Sequence, residues 1–399
     1  MKDILPALQL VCLALIAAGV APVALDALDA RADRKAREAR AAVFGAIAEA
    51  ASTASDHDLA AQAFADAANL DPDNEGWRKG LLDAQVERIL RDSGHITGAN
   101  ALSLQVALTR ALSDGDPSAR HELAFGRVLH FRGQLEKARA RYKAALDKDP
   151  QSAQAHLLLG DLQFKQGEYG AAVTTLRRAV ELDPELPLVH FALGQALLGQ
   201  KNAQEAVVEL EKAVKAMPQH AASHGALGKA ALELKRFDTA RTHLESALRL
   251  DRAGLASLYR DLGDAWEGLE NLPRAEQAYT QAWQQAQDLV GLRRLARVRM
   301  QQRNWQGTID AYNLVLSVVP DDPEAHCQTG MAADKANAGR VAVVAYQRCI
   351  AVAEKDPDFK ELVATARNRQ QILAERMTAQ AREAGKDAPK APPKGGKGP

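Results

Sequence analysis

The chain has 399 residues, of which 47% are hydrophobic and 5% aromatic, so it can bury an extensive core built mainly from alanine, leucine and valine. Acidic and basic residues balance at 51 each, which removes any overall electrostatic argument for nucleic-acid binding. The cysteines at 12, 327 and 349 show no metal-ligand spacing, so we expect buried thiols rather than a zinc site or a disulfide framework.

The N-terminal segment has the properties of a membrane anchor. Residues 4–25 form a run of 22 positions without a charged side chain. A helix of that length can cross a bilayer core of about 30 Å, so residues 1–30 are expected to hold a single span of the inner (cytoplasmic) membrane. A cleaved secretory signal is the open alternative. Basic residues after the span favour a cytoplasmic body, and a periplasmic body stays open.

The sequence then repeats itself with a period of 34 residues, as the register of Pro150, Pro184 and Pro218 indicates. Such a period is typical of an array of helical hairpins, since each hairpin must bury its apolar face against its neighbours. The regular positions are small residues, which let two antiparallel helices pack closely, together with one bulky residue that fills the remaining space. They are Gly126, Gly160, Gly194, Gly228 and Gly263; alanine at 138, 172, 206, 240, 275 and at 145, 179, 213, 247, 282; and Tyr142, Leu176, Leu210, Leu244 and Tyr279.

This pattern resembles the tetratricopeptide repeat (TPR), and the alanine- and arginine-rich composition suggests a bacterial source. The resemblance implies an all-α fold, a right-handed α-solenoid of about nine TPR-like helical hairpins with a C-terminal capping helix. We expect divergent TPR-like helices in 31–118, the array in 119–357, the cap in 358–384 and a disordered basic Pro/Gly/Lys tail in 385–399. The best copies are 119–152, 153–186, 187–220, 221–255 and 256–288, with weaker copies at 41–74, 289–322 and 323–357.

No signature of catalysis or of nucleotide or metal binding is found in the sequence, so we expect no enzyme, no cofactor and no small-molecule substrate. His156, His190 and His224 recur at the repeat period. Residues one repeat apart are too distant to share a metal ion that lies about 2 Å from each ligand, so a packing role is favoured.

The remaining candidate site is the inner surface that the first helices of the hairpins line in arrays resembling this one. It combines an apolar trough with a basic segment, and large apolar residues on a solvent face indicate a protein partner. The trough residues are Leu123, Phe131, Leu157, Phe164, Leu188, Phe191, Leu198 and Leu232, and the basic residues are Arg260, Arg293 and Arg297.

These residues predict an adaptor that binds a peptide segment of a partner protein in an envelope-associated complex. Three alternatives stay open. The apolar side chains pack between helices and the arginines form a solvated face; the protein is a non-catalytic regulatory subunit of a membrane enzyme or of an envelope biogenesis pathway; or it is a secreted periplasmic TPR protein.

Overall fold

The structure, a computed structural model, describes residues 34–91, 96–114, 118–186, 188–251, 257–354 and 356–386. The predicted anchor at residues 1–30 lies outside the described residues, as does the predicted tail beyond Lys386. Among the helices that are described, none is both long enough and apolar enough to span a bilayer.

The described residues form α-helices joined by short turns, with one 3-10 helix and no β-strand. They divide into two compact units between Gln200 and Lys201. The helices of the first unit are α1 (Arg34–Thr53), α2 (His57–Leu70), α3 (Glu75–Arg91), α4 (Ala101–Asp114), α5 (Ala119–Phe131), α6 (Leu135–Lys148), α7 (Ala153–Lys165), α8 (Tyr169–Leu182) and α9 (Val189–Gly199). Those of the second are α10 (Ala203–Ala216), α11 (Ala221–Glu233), α12 (Phe237–Leu250), α13 (Leu258–Gly268), α14 (Leu272–Ala286), α15 (Leu289–Gln301), α16 (Trp305–Val318), α17 (Pro323–Lys335), α18 (Gly339–Ala353) and α19 (Lys360–Lys386).

Within each unit, sequential helices pack against each other as hairpins. In the first unit α1 packs on α2, α5 on α6 and α7 on α8; in the second α11 packs on α12, α13 on α14, α15 on α16 and α17 on α18. We call the first helix of each hairpin its A helix and the second its B helix. The predicted fold class, an all-α solenoid of helical hairpins, is confirmed for the part of the chain that the structure describes.

In most of the described hairpins, the helices meet where a glycine of the A helix contacts a bulky residue of the B helix; α15 has Ala296 at this position. A Cβ atom added to Gly160 would lie 2.5 Å from the Leu176 side chain, and one added to Gly263 would lie 2.4 Å from the Tyr279 ring. Both partners are fully buried. The bulky side chain therefore lies so close to the A helix that a Cβ atom at these two positions would force it to shift, which is why small residues return at the repeat period.

The turn between A and B helices requires one residue with a left-handed backbone. Gly167 takes this conformation with φ of 78°, whereas Lys201, Lys235 and Arg303 take it without being glycine. An L-residue with a side chain pays a steric cost there, and glycine does not. B helices end at an Asp-Pro or similar pair, as at Asp183, because proline cannot continue a helix.

The last hairpin contains a disulfide that the sequence did not predict. Cys327 of α17 and Cys349 of α18 are bonded at an S–S distance of 1.99 Å, so the interpretation of these residues as free buried thiols was wrong. Cys349 occupies the position that holds alanine in the earlier hairpins, such as Ala145 and Ala179. Helix α19 then packs on α18 and covers the end of the second unit, with Ala366 and Leu373 buried.

Candidate functional site

An aromatic surface lies on the A helices of the first unit. Phe131, the last residue of α5, is 53% exposed. The equivalent end of α7 carries Phe164, whose half-buried ring lies 5.8 Å from the ring of Tyr169 at a tilt of 52°. Tyr169 and Leu188 are also exposed. The structure therefore leaves Phe131 open to solvent at the end of α5, Tyr169 open at the start of the B helix α8 and Leu188 open before the start of α9.

His130, the residue before Phe131, contacts a lysine of the next A helix and a buried tyrosine of its own hairpin. The Lys165 ammonium donates to His130 Nε2 at 3.4 Å, and the other ring nitrogen lies 3.5 Å from the Tyr142 hydroxyl. Burial, and secondarily the charge of Lys165, lower the pKa of His130. Lys165 also pairs with Asp161 at 2.9 Å, which offsets the charge of its ammonium group.

Leu123 does not belong to this surface, and its prediction as a groove residue was wrong. It is only 3% exposed and lies in the core of the first unit with Tyr142 and Ala145. It stands at the fifth position of its repeat, the position that Cys327 holds in the last one. The disulfide joins Cys327 to its own B helix, so in these two repeats the fifth position lies inside the hairpin, whereas Arg260 and Arg293 at the same position bond to the start of the next A helix.

The other predicted trough residues are half-buried rather than open. Leu157, Phe191 and Leu198 are partly covered in the first unit, and Leu232 is partly covered in the second, where it packs on a buried cluster. Only part of each side chain is therefore accessible to solvent. Their role in binding stays a prediction; of the predicted trough residues, Phe131 and Leu188 are exposed, and Phe164 is half-buried.

The predicted arginines of the second unit are paired with carboxylates. Arg260 Nη1 lies 3.1 Å from Asp288 Oδ2, and Arg293 donates in the same way to Asp322. Both aspartates are N-cap residues that accept backbone N–H groups at the start of the next A helix. Each arginine therefore fixes one A helix to the start of the following one by a charge-assisted bond.

Further ion pairs balance the charge of this surface. Arg297 lies 3.9 Å from Glu324, and Arg294 pairs with Asp264. Arg294 and Asp261 are both shielded from solvent to some extent. This burial disfavours their charged forms, so it lowers the pKa of Arg294 and raises the pKa of Asp261. Acidic partners that the sequence does not reveal therefore lie close to these arginines, Arg297 stays exposed, and the role of the basic segment in binding stays a prediction.

The recurring histidines have a structural role. His156 and His224, and likewise His326 of the last repeat, sit in the first turn of an A helix and donate from Nε2 to the carbonyl oxygen of the proline that ends the preceding repeat. The bonds join His156 to Pro150 at 3.2 Å, His224 to Pro218 at 3.1 Å and His326 to Pro320 at 2.9 Å. Among the described residues, no group of three or more histidine, cysteine or acidic side chains lies close enough to hold a metal ion.

Residues 123–187 and 164–224 match one family model of the tetratricopeptide repeat, and residues 197–262 match a second. This part of the chain consists of tetratricopeptide repeats. TPR arrays mediate contacts between proteins and are typically non-catalytic scaffolds. Comparison with curated protein sequences gives no significant match.

Several solved TPR structures are similar to this chain. YrrB, described as a TPR protein with an unusual peptide-binding site, is 22% identical with a TM-score of 0.41 over 46% of this chain and 95% of that one. PilF of Pseudomonas aeruginosa is 24% identical with a TM-score of 0.45 over 52% and 94%. PilW, a type IV pilus biogenesis factor, is 15% identical with a TM-score of 0.46 over 51% and 94%. Likeness at this level carries no statement on function.

Proposed function

We propose that this protein is a membrane-attached scaffold of a bacterial envelope that binds a peptide segment of a protein partner and has no catalytic chemistry of its own. The observation that carries the proposal is the exposure of Phe131 on α5 together with the Phe164–Tyr169 ring pair of the next hairpin in the first unit. Large aromatic side chains left open on adjacent A helices lose stabilisation unless a partner covers them.

The chemistry of this surface favours an apolar or aromatic segment. Ring edges at Phe131 and Phe164 offer contacts of the kind that anchor interfaces, and Leu188 adds an exposed aliphatic group. The ion pair of Lys165 with Asp161 supplies donors and acceptors at the rim without a net charge. Binding is therefore expected to depend on apolar contact rather than on long-range attraction.

In the second unit, ion pairs hold successive A helices in fixed positions, as a scaffold requires. Bonds from Arg260 to Asp288 and from Arg293 to Asp322 connect successive A helices, so one repeat cannot shift without breaking a partly buried ion pair. We assign these arginines to holding the array rather than to attracting the partner.

For localisation, we infer a membrane span in residues 4–25 and a body on the oxidising, periplasmic side. The span rests on its length and lack of charge. The Cys327–Cys349 disulfide supports the periplasmic side, because the cytosol keeps thiols reduced. The test is alkylation of the protein in cells under acid quench. Blocked thiols at 327 and 349 would support this side, and free thiols would return the body to the cytoplasm.

The binding proposal is tested with the partner recovered by mild detergent extraction and affinity purification. Phe131→Ala and Phe164→Ala should each raise Kd about fivefold, mainly through faster dissociation and with little salt dependence. Val208→Ala is the matched control, since Val208 is an exposed apolar residue on the B helix α10. Unchanged rates in both aromatic variants would contradict the proposal. A partner that is an enzyme with altered turnover would indicate a regulatory subunit.

A further inference from the structure

A second open surface lies in the second unit, where the B helices α16 and α18 flank the A helix α17. A cleft of about 440 Å³ runs between α16 and α18, with residues of α17 between them. Leu316 lines one wall, Val341 and Val344 line the other, and Thr329 of α17 lies at the bottom. This volume lies within the range of pockets that take small ligands or a few side chains.

The wall on α18 is apolar and uncovered. Val341 is 48% exposed and Val344 is 58% exposed. They are three residues apart on one helix, so they lie on the same face, one turn apart. About half of each side chain is open to solvent, and two β-branched residues on a solvent face of a helix favour neither helix formation nor solubility.

The bottom of the cleft carries an unused hydroxyl group. Thr329 is only 4% exposed, and its Oγ1 has no hydrogen-bond partner. Buried hydroxyl groups on helices usually donate to a carbonyl oxygen one turn earlier, as Thr308 does to the carbonyl oxygen of Asn304 at 2.8 Å. Leaving a buried hydroxyl without a hydrogen bond destabilises the protein, and a polar atom of a ligand at this position would offset that loss.

Two arginines flank the apolar wall. Arg340 and Arg348 line the cleft and are exposed, and among the residues that the structure describes neither has a carboxylate partner. They are eight residues apart with Val344 midway, so their positions on α18 are separated by about 12 Å along the helix axis. Arg293, by contrast, is paired with Asp322.

We propose that this cleft is a docking site for an acidic, apolar segment of a partner protein. Apolar side chains of the segment cover Val341 and Val344, its carboxylates pair with Arg340 and Arg348, and one polar group bonds the Thr329 hydroxyl. The Cys327–Cys349 disulfide ties α17 to α18 beside the cleft, with Cys349 next to Arg348 in the chain. The two helices that form its bottom and wall are thus held together in the oxidised protein. This site is separate from the aromatic surface of the first unit.

The test uses the full-length oxidised protein and a random peptide library displayed on beads. Selection should enrich peptides that combine glutamate or aspartate with leucine, isoleucine or valine, and Arg340→Glu with Arg348→Glu should weaken their binding about tenfold or more. The matched control reverses Arg236 and Arg303, two exposed arginines elsewhere in the same unit. Phe131→Ala should leave this binding unchanged, which separates it from the proposed function.

Thr329→Val provides a second readout. Removing the unpaired hydroxyl should raise the melting temperature while weakening binding of the selected peptides several-fold. Enrichment of basic peptides, no enrichment, or equal loss in the control would overturn the proposal. Vesicles of phosphatidylglycerol are the competing probe. Binding to them that depends on Val344 without any peptide selection would assign the cleft to a membrane surface instead.

Discussion

Replacing Gly160 with alanine tests the contact between the two helices of one hairpin, because the change adds a single carbon atom beside Leu176. The added Cβ would lie 2.5 Å from Leu176 Cγ and 2.8 Å from its Cδ2 atom, too close for either group unless Leu176 moves. Leu176 is fully buried and has no free space to enter. We expect overpacking to cost about 1–3 kcal/mol. The better helix propensity of alanine returns about 1 kcal/mol, so the free energy of unfolding should fall by about 1 kcal/mol.

Gly170→Ala is the control, because its Cβ would meet only the Gln200 amide nitrogen at 3.5 Å. This change should leave the free energy of unfolding unchanged or raise it slightly. Urea unfolding followed by circular dichroism at the helix band measures both variants. In a Leu176→Ala background, Gly160→Ala should become stabilising, with a coupling energy of about 1–3 kcal/mol. If Gly160→Ala and Gly170→Ala behave alike and the coupling is zero, the assigned helix contact is incorrect.

Three further changes test other features of the fold. Lys235→Gly should raise the free energy of unfolding by about 0.5–1 kcal/mol, because Lys235 has φ of 55° and glycine takes this conformation without strain; a loss of stability in urea unfolding would argue against it. Reducing the Cys327–Cys349 disulfide, which spans 22 residues, should destabilise the second unit by about 3 kcal/mol in the same assay; identical oxidised and reduced midpoints would count against the bond. Burial lowers the pKa of His130 and His243, so the unfolded chain binds more protons below their ordinary value near 6.5. The melting temperature should therefore be constant above that pH and fall as the pH drops below it, and His243→Asn should reduce the fall.

The repeat architecture could be predicted because its signal is local and recurs. Gly126, Gly160 and Gly263 stand at the repeat period, and in each case the steric reason is the same close approach to one bulky residue. The turns were partly predictable for the same reason. A glycine such as Gly167 indicates a left-handed backbone conformation in the sequence itself. Lys235 takes the same conformation in its hairpin, but a lysine gives no such indication.

The site was harder to predict because its chemistry depends on residues far apart in the chain. Arg293 pairs with Asp322, which lies 29 residues later in the chain. Sequence composition does not reveal this pair, so the arginine is interpreted from the sequence as an unpaired charge. Its signal is an aspartate at the N-cap of the following A helix, which can be found once the repeats are aligned. The burial of Leu123 and the pairing of Cys327 with Cys349 both follow from one contact inside the hairpin, which the spacing of the cysteines does not reveal.

Photo-crosslinking in cells tests the proposed binding surface most directly. A photoreactive phenylalanine analogue replaces Phe131 in one strain and Val208, an exposed residue of a B helix, in another. We predict a discrete adduct of the protein with a single partner from position 131, and none of that size from position 208. Adducts from position 208 alone, or equal yields at both positions, would contradict peptide binding on the A helices of the first unit.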